Sequence, residues 1–248
     1  MKTLKALVLL ALVLFSYTSG IASAKGNSAH AIKNNISAFQ DARPLGSFKG
    51  IAAGGPLNIK VTMAGTESIR FEGDKDAIAE LVTEVVNGIL TIKPKTKWND
   101  WSRRHRDVEI AVYISAKRLS SLTMSGSGNL EVTNAVNGPE LVSTLSGSGS
   151  IKATANVKSF TGVLSGSGNI NLTGKSDDSN LTISGSGSFK GKSFSAAKVS
   201  VQISGSADVY IRATQNLDAV ISGSGSVVYS GDATVKKTII GSGSVSRN

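Results

Sequence analysis

A Ser-Gly phrase returns through the second half of the chain, and its spacing limits what this sequence can fold into. Copies start at Ser125, Ser146, Ser165, Ser184, Ser204 and Ser222, and a seventh carries Ile240 in place of the first serine before Gly241-Ser242-Gly243. The intervals are 21, 19, 19, 20, 18 and 18 residues. Flexible linkers keep no such period, whereas stacked structural repeats do.

The flanks of each copy are equally regular. After it come Leu130, Ile151, Ile170, Phe189, Val209, Val227 and Val245, each in the second place of a short string. Val132, Ala153, Leu172, Ile211 and Tyr229 follow two residues on. Before it stand Met124, Leu145, Leu164, Ile183, Ile203, Ile221 and Ile239, with Leu122, Leu181 and Val201 two residues further back. Apolar residues at every second position define a strand with one buried face. Each period therefore reads as strand, Ser-Gly turn, strand and variable connection. The expected fold is all-β: a parallel β-solenoid (β-helix) of about seven coils over residues 121–248.

On this reading the glycines serve corners, where the backbone needs positive φ. Serine hydroxyls are expected to bond turn groups or the serine of the next coil. A phosphate-cradling loop would need a strand-turn-helix setting and a motif such as GxGxxG or GxxxxGK[ST], and neither occurs.

The N-terminal part divides differently. Basic Lys2 and Lys5, an apolar run from Leu7 to Phe15 and the small residues Ala22-Ser23-Ala24 form a secretory signal peptide over 1–24, cleaved after Ala24. Export to the periplasm, the cell surface or the medium follows, and no later run is long enough to span a membrane. Residues 25–43 read as a flexible polar tail. Residues 44–120 read as a β-rich cap leading into the solenoid, with strands at "SFKGIAA", "LNIKVTMA", "SIRFEGD", "GILTIKPK" and "VEIAVYISA". "DKDAIAELVTEVVNG", Asp74 to Gly88, reads as one short helix with Ile78, Leu81, Val82 and Val85 on a face and Asn87-Gly88 as its stop.

The chain has no cysteine, which removes disulfides, thiolate metal sites and a cysteine nucleophile. Its formal charge of +10 falls to +8 when Lys2 and Lys5 leave with the signal peptide. Such a basic exported protein favours anionic glycan, lipid surfaces or another envelope protein, and nucleic acid is not an expected partner outside the cell.

The repeated "SGSGNI"-type units, with "FKGI" and "NGILTIK" upstream, resemble the head GIN domain family of auto-transporter adhesins found in Bacteroidetes-like bacteria. The resemblance covers Pro44 to Ser244. It implies an exported, adhesin-like protein with a β-helical body, and it brings no catalytic residues. The sequence shows no separate β-barrel segment for self-transport.

One segment breaks the β-pattern: "KPKTKWNDWSRRHRD", Lys93 to Asp107, which holds both tryptophans of the chain. Tryptophan stacks on sugar faces or lies at lipid interfaces, and arginine bonds carboxylate or phosphate in bidentate fashion. Trp98, Trp101, Arg103, Arg104 and Arg106 are thus the candidate site for an anionic glycan or headgroup. The competing reading is a solvated connection whose tryptophans rest on the solenoid. A second, weaker candidate is a basic stripe, Lys152, Lys190, Lys192 and Arg212, a pattern that more often is a solubilising face.

Catalysis finds little support. His30 lies in the tail and His105 among arginines, with no base-nucleophile pairing visible. Asp177 and Asp178 adjoin in one turn, and Asp208 stands alone between Ser188 and Ser226, so the facing carboxylates of a glycosidase are missing. Calcium-binding solenoids repeat an aspartate where this chain has Asn, Ser and a single Asp, too few hard-cation ligands, so no metal or cofactor is expected. The sequence thus points to a non-catalytic binding protein. A purely structural envelope protein and a carbohydrate-active β-helix enzyme are the alternatives.

Overall fold

The computed structural model describes residues 39–248. The expected signal peptide, His30 and the expected tail up to residue 38 lie outside the described residues. The chain runs β1 (Phe39–Arg43), β2 (Gly50–Gly54), β3 (Asn58–Met63), β4 (Ser68–Gly73), α1 (Lys75–Ala79), β5 (Leu81–Val86), β6 (Ile89–Pro94), α2 (Trp98–Arg104) and β7 (Ala111–Ala116). It continues as β8 (Ser121–Gly126), β9 (Asn129–Gly147), β10 (Ser150–Gly166), β11 (Asn169–Gly185), β12 (Ser188–Gly205), β13 (Asp208–Gly223), β14 (Ser226–Ser230), β15 (Thr234–Gly241) and β16 (Ser244–Arg247).

From β8 onward the fold is the expected parallel β-solenoid. Gly126, Gly147, Gly166, Gly185, Gly205, Gly223 and Gly241 stand opposite one another on successive coils. That register stacks like on like. Leu130, Ile151, Ile170, Phe189, Val209 and Val227 form one buried column, and Met124, Leu145, Leu164, Ile183, Ile203 and Ile221 form another. Burying each such side chain stabilises the stack by about 1.5–3 kcal/mol.

The corners are built by contact between coils as much as by dihedral angle. Gly147 has φ +119°, and a Cβ there would lie 2.5 Å from the Gly126 carbonyl oxygen of the coil below. That same oxygen accepts bonds from Ser148 N–H and Gly149 N–H, both at 3.0 Å. The corner amides are thereby consumed along the stack, which is the physical reason they cannot cradle a phosphate. The corner serines differ from expectation. Their side chains point outward, and none of their hydroxyls has a protein partner among the described residues.

The N-terminal half is less simply ordered than a cap laid on an end. β2 and β3, joined by Gly54-Gly55-Pro56, form a coil inside the stack. β2 pairs in parallel with both β6 and β8, and β3 with both β7 and β9. Gly55 N–H donates to Ser125 O at 2.7 Å and Gly55 O accepts from Gly128 N–H at 2.9 Å, so this turn takes the place of a Ser-Gly corner. The outermost coil comes from later residues, β6 and β7, with α2 where a corner would be. Antiparallel strands then close this end: β4 and β1 beyond β7, and β5 beside β6.

Three expectations change. Residues 39–43 are strand β1 rather than tail, paired along β4. The helix expected over 74–88 is only α1, N-capped by Asp74, whose side chain accepts from Ala77 N–H at 2.8 Å. From Leu81 the chain is strand β5, because the β-branched run ends in Asn87-Gly88, both at positive φ, a tight turn that folds β5 back onto β6. Finally, the segment from Lys93 to Asp107 contains helix α2 rather than loop alone.

Candidate functional site

α2 begins after Lys97, which supplies no side-chain cap, and ends at His105. Tryptophans at i and i+3 share one helical face, and that face meets the solenoid end. Trp101 is fully buried, and its indole N–H donates to Ala77 O at 3.2 Å. Trp98 meets it edge-on, with ring centroids 5.6 Å apart. The Trp98 ring also covers the Gly54-Gly55 turn so closely that a Cβ on Gly55 would lie 2.3 Å from it. The helix thus closes the column of corners with an aromatic lid.

The cations on α2 fare differently from one another. Arg104 bonds Glu80 at 2.5 Å and Thr96 Oγ1 at 3.1 Å. Arg103 reaches Asp100 at 2.6 Å on the exposed side of the helix. Arg106 lies exposed just past the helix and, among the described residues, has no acidic partner. Glu80 also faces His105, with Nε2 3.4 Å from Oε2, both atoms buried and neither hydrogen-bonded.

The five predicted residues are therefore close in the chain but divided in space. Trp101 is core, Arg104 is a strut to Glu80, and Arg103 carries its own counter-ion. Trp98 and Arg106 come together in a cleft of about 490 Å³ between α2 and the first corners. Trp98, Ser102, His105 and Arg106 form one wall; Pro56, Ser125 and Ser127 line the other. Sequence reasoning missed the serines of this wall, because it treated the corners as scaffold. A guanidinium, hydroxyls and an indole edge together suit a ligand bearing an anionic group and hydroxyls. Among the described residues no serine hydroxyl hydrogen-bonds His105, whose Nε2 faces Glu80 instead. Among the described residues no three His, Cys, Asp or Glu side chains gather as a metal site.

The basic stripe is also divided. Lys152 pairs with Glu131 at 2.8 Å and holds its carboxyl below the usual carboxylate range. Lys190 follows in the same cross-strand row, beyond Asn171. Lys192 leaves the row at an irregularity in β12, and Arg212 stands opposite Ser195.

No curated protein sequence matches the chain. Solved structures do. One described as a "putative adhesin" from Bacteroides fragilis NCTC 9343 superposes with a TM-score of 0.75 at 20% identity, covering 85% of this chain and 97% of that one. A "putative lipid binding protein" from Parabacteroides distasonis ATCC 8503 superposes at 0.66 and 25% identity, covering 86% and 98%. A "putative adhesin" from Parabacteroides merdae ATCC 43184 gives 0.59 and 21%, covering 86% and 97%. The family model described as "Putative auto-transporter adhesin, head GIN domain" matches residues 47–233, most of the chain, so the protein belongs to the head GIN domain family.

Proposed function

We propose that this chain is an exported, non-catalytic, adhesin-like binding protein of the bacterial envelope. Its ligand is an anionic group on a glycan or lipid, taken in the cleft between α2 and the first corners. The observation that carries this reading is Arg106, an exposed guanidinium without an acidic partner, beside Trp98 and the corner serines. The names of similar structures, adhesins and a lipid-binding protein, agree with a surface-binding role. A basic leader with a small-residue cleavage site supports export.

The test is a glycan and anionic-lipid array read with the mature protein and with Arg106→Ala. Loss of a specific signal in the variant, with the circular-dichroism spectrum unchanged, supports the cleft. Equal binding by both proteins removes it. A purely structural role is the second reading, favoured by the use of Trp98 and Trp101 to close the coil end, and it predicts no specific signal from either protein.

A further inference from the structure

The irregularity in β12 produces a second surface feature, independent of α2. Lys190 stands opposite Asn171 on one side and Tyr210 on the other. Pairing with β11 then skips from Asn171–Lys190 to Gly174–Phe194, and pairing with β13 skips from Gly191–Ile211 to Ser195–Arg212. β12 thus carries one extra residue against β11 and three, residues 192–194, against β13, a bulge of the kind that redirects side chains. Its two ends point opposite ways. Phe194 is fully buried and meets Phe160 edge-on with centroids 5.4 Å apart, while Lys192 and Ser193 are pushed out into solvent. The aromatic anchor inside fixes the position of the lysine outside.

Outside, Lys192 Nζ lies 5.0 Å from the centre of the Tyr210 ring. Lys190, Lys192, Ser193 and Tyr210 rim a depression of about 330 Å³ with Leu172 and Thr173 also lining it. A smaller recess shares Lys192 and Tyr210 and extends to Tyr229 on the next coil. No acidic side chain among the described residues forms an ion pair with Lys190 or Lys192, unlike Lys152 on its Glu131. Two ammonium groups without counter-ions, hydroxyls and tyrosine rings along neighbouring coils are the chemistry of an acidic sugar chain: carboxylates to lysine, ring faces to tyrosine. The shelf lacks what a membrane surface would need. The exposed large apolar residues among those described are Val86, Val220 and Ile240, and none lies on it.

We infer that the Lys190–Lys192–Tyr210 shelf binds an acidic polysaccharide running along the solenoid.

The test is calorimetric titration of the mature protein with polygalacturonate, with neutral dextran as the uncharged polymer. Phosphatidylglycerol vesicles are the lipid arm. Polygalacturonate alone should bind. The exposed double variant Lys190→Gln, Lys192→Gln should weaken it by about tenfold or more, the loss expected when charge-assisted bonds are removed. Tyr210→Ala should weaken it as well and Tyr210→Phe should not. Lys236→Gln, Lys237→Gln on β15 removes the same charge elsewhere and should change affinity by no more than about twofold. Equal loss in that control would reduce the effect to net charge and overturn the shelf. Absence of polygalacturonate binding, or preference for the vesicles through the same lysines, would overturn it too. Arg106→Ala is titrated alongside: loss there with none at the lysine pair would move the binding to the α2 cleft and sink this inference while sparing that reading.

Discussion

At the scale of single residues, the corner shows two glycines with two different reasons. The earlier glycine of each phrase has strongly positive φ, +119° at Gly147, and faces a carbonyl on the coil below. The later one has no such φ and is limited by space alone, and at one corner it is Ala207, fully buried. There the inter-coil bond from Asp208 N–H to Gly187 O measures 3.2 Å, against 3.0 Å for Ser188 N–H to Gly168 O. Gly147→Ala should therefore cost about 1–3 kcal/mol in urea unfolding, and Ala207→Gly less than about 1 kcal/mol. The tryptophans separate in the same way. Trp101→Ala should cost about 3–5 kcal/mol by opening a cavity, whereas Arg106→Ala should stay within about 0.5 kcal/mol. A proton titration belongs here too. Lys152 bonds and attracts the Glu131 carboxylate, lowering its pKa, so this pair's contribution is complete above the ordinary carboxylate range and lost as pH falls through the lowered value. In NMR titration, Lys152→Gln should move Glu131 back upward.

At the scale of elements, legibility followed how many period-bearing residues each element had. The coils of the solenoid each repeat apolar residues on both sides of a corner, and that redundancy made the parallel stack readable. The stretch from Ile78 to Val85 had no such redundancy. Its apolar residues at 78, 81, 82 and 85 satisfy a helix, yet the β-branched run into Asn87-Gly88 satisfies a hairpin, and pairing along β6 decides for the strand. Asn87 has φ +52°, so Asn87→Val should destabilise the β5–β6 hairpin by about 1–2 kcal/mol, read as a lowered melting temperature, while Asn87→Gly should not. For the candidate site, the residue types were legible and their roles were not. Tryptophan and arginine look alike in a string whether they face a ligand or a core. The helical spacing of Trp98 and Trp101 was the available sign that one face of α2 was committed to packing. The β12 bulge had a sign as well: two phenylalanines five residues apart, which strict alternation cannot place on one face.

At the scale of the whole molecule, the stack is ordered differently in space and in sequence. From β8 onward neighbouring coils are about one repeat apart in the chain. The β2–β3 coil instead meets β9 across a long interval, as in the bond from Asn129 Nδ2 to Asn58 Oδ1 at 3.0 Å, which spans 71 residues. Repeat stacks tolerate loss of a terminal unit far better than loss of an internal one. A chain truncated after Gly223 should keep its β-type circular dichroism with a lower melting temperature, whereas a chain lacking residues 1–66 should fail to fold.

The buried position of that coil also decides how the protein carries load. A pull arriving from the N-terminal side, once β1 has been drawn off β4, reaches β2, which is held along both edges by β6 and β8. Freeing it requires breaking the ladders on both of those edges, whereas a terminal strand is peeled from a single neighbour. Tension from that side is therefore met by two ladders at once.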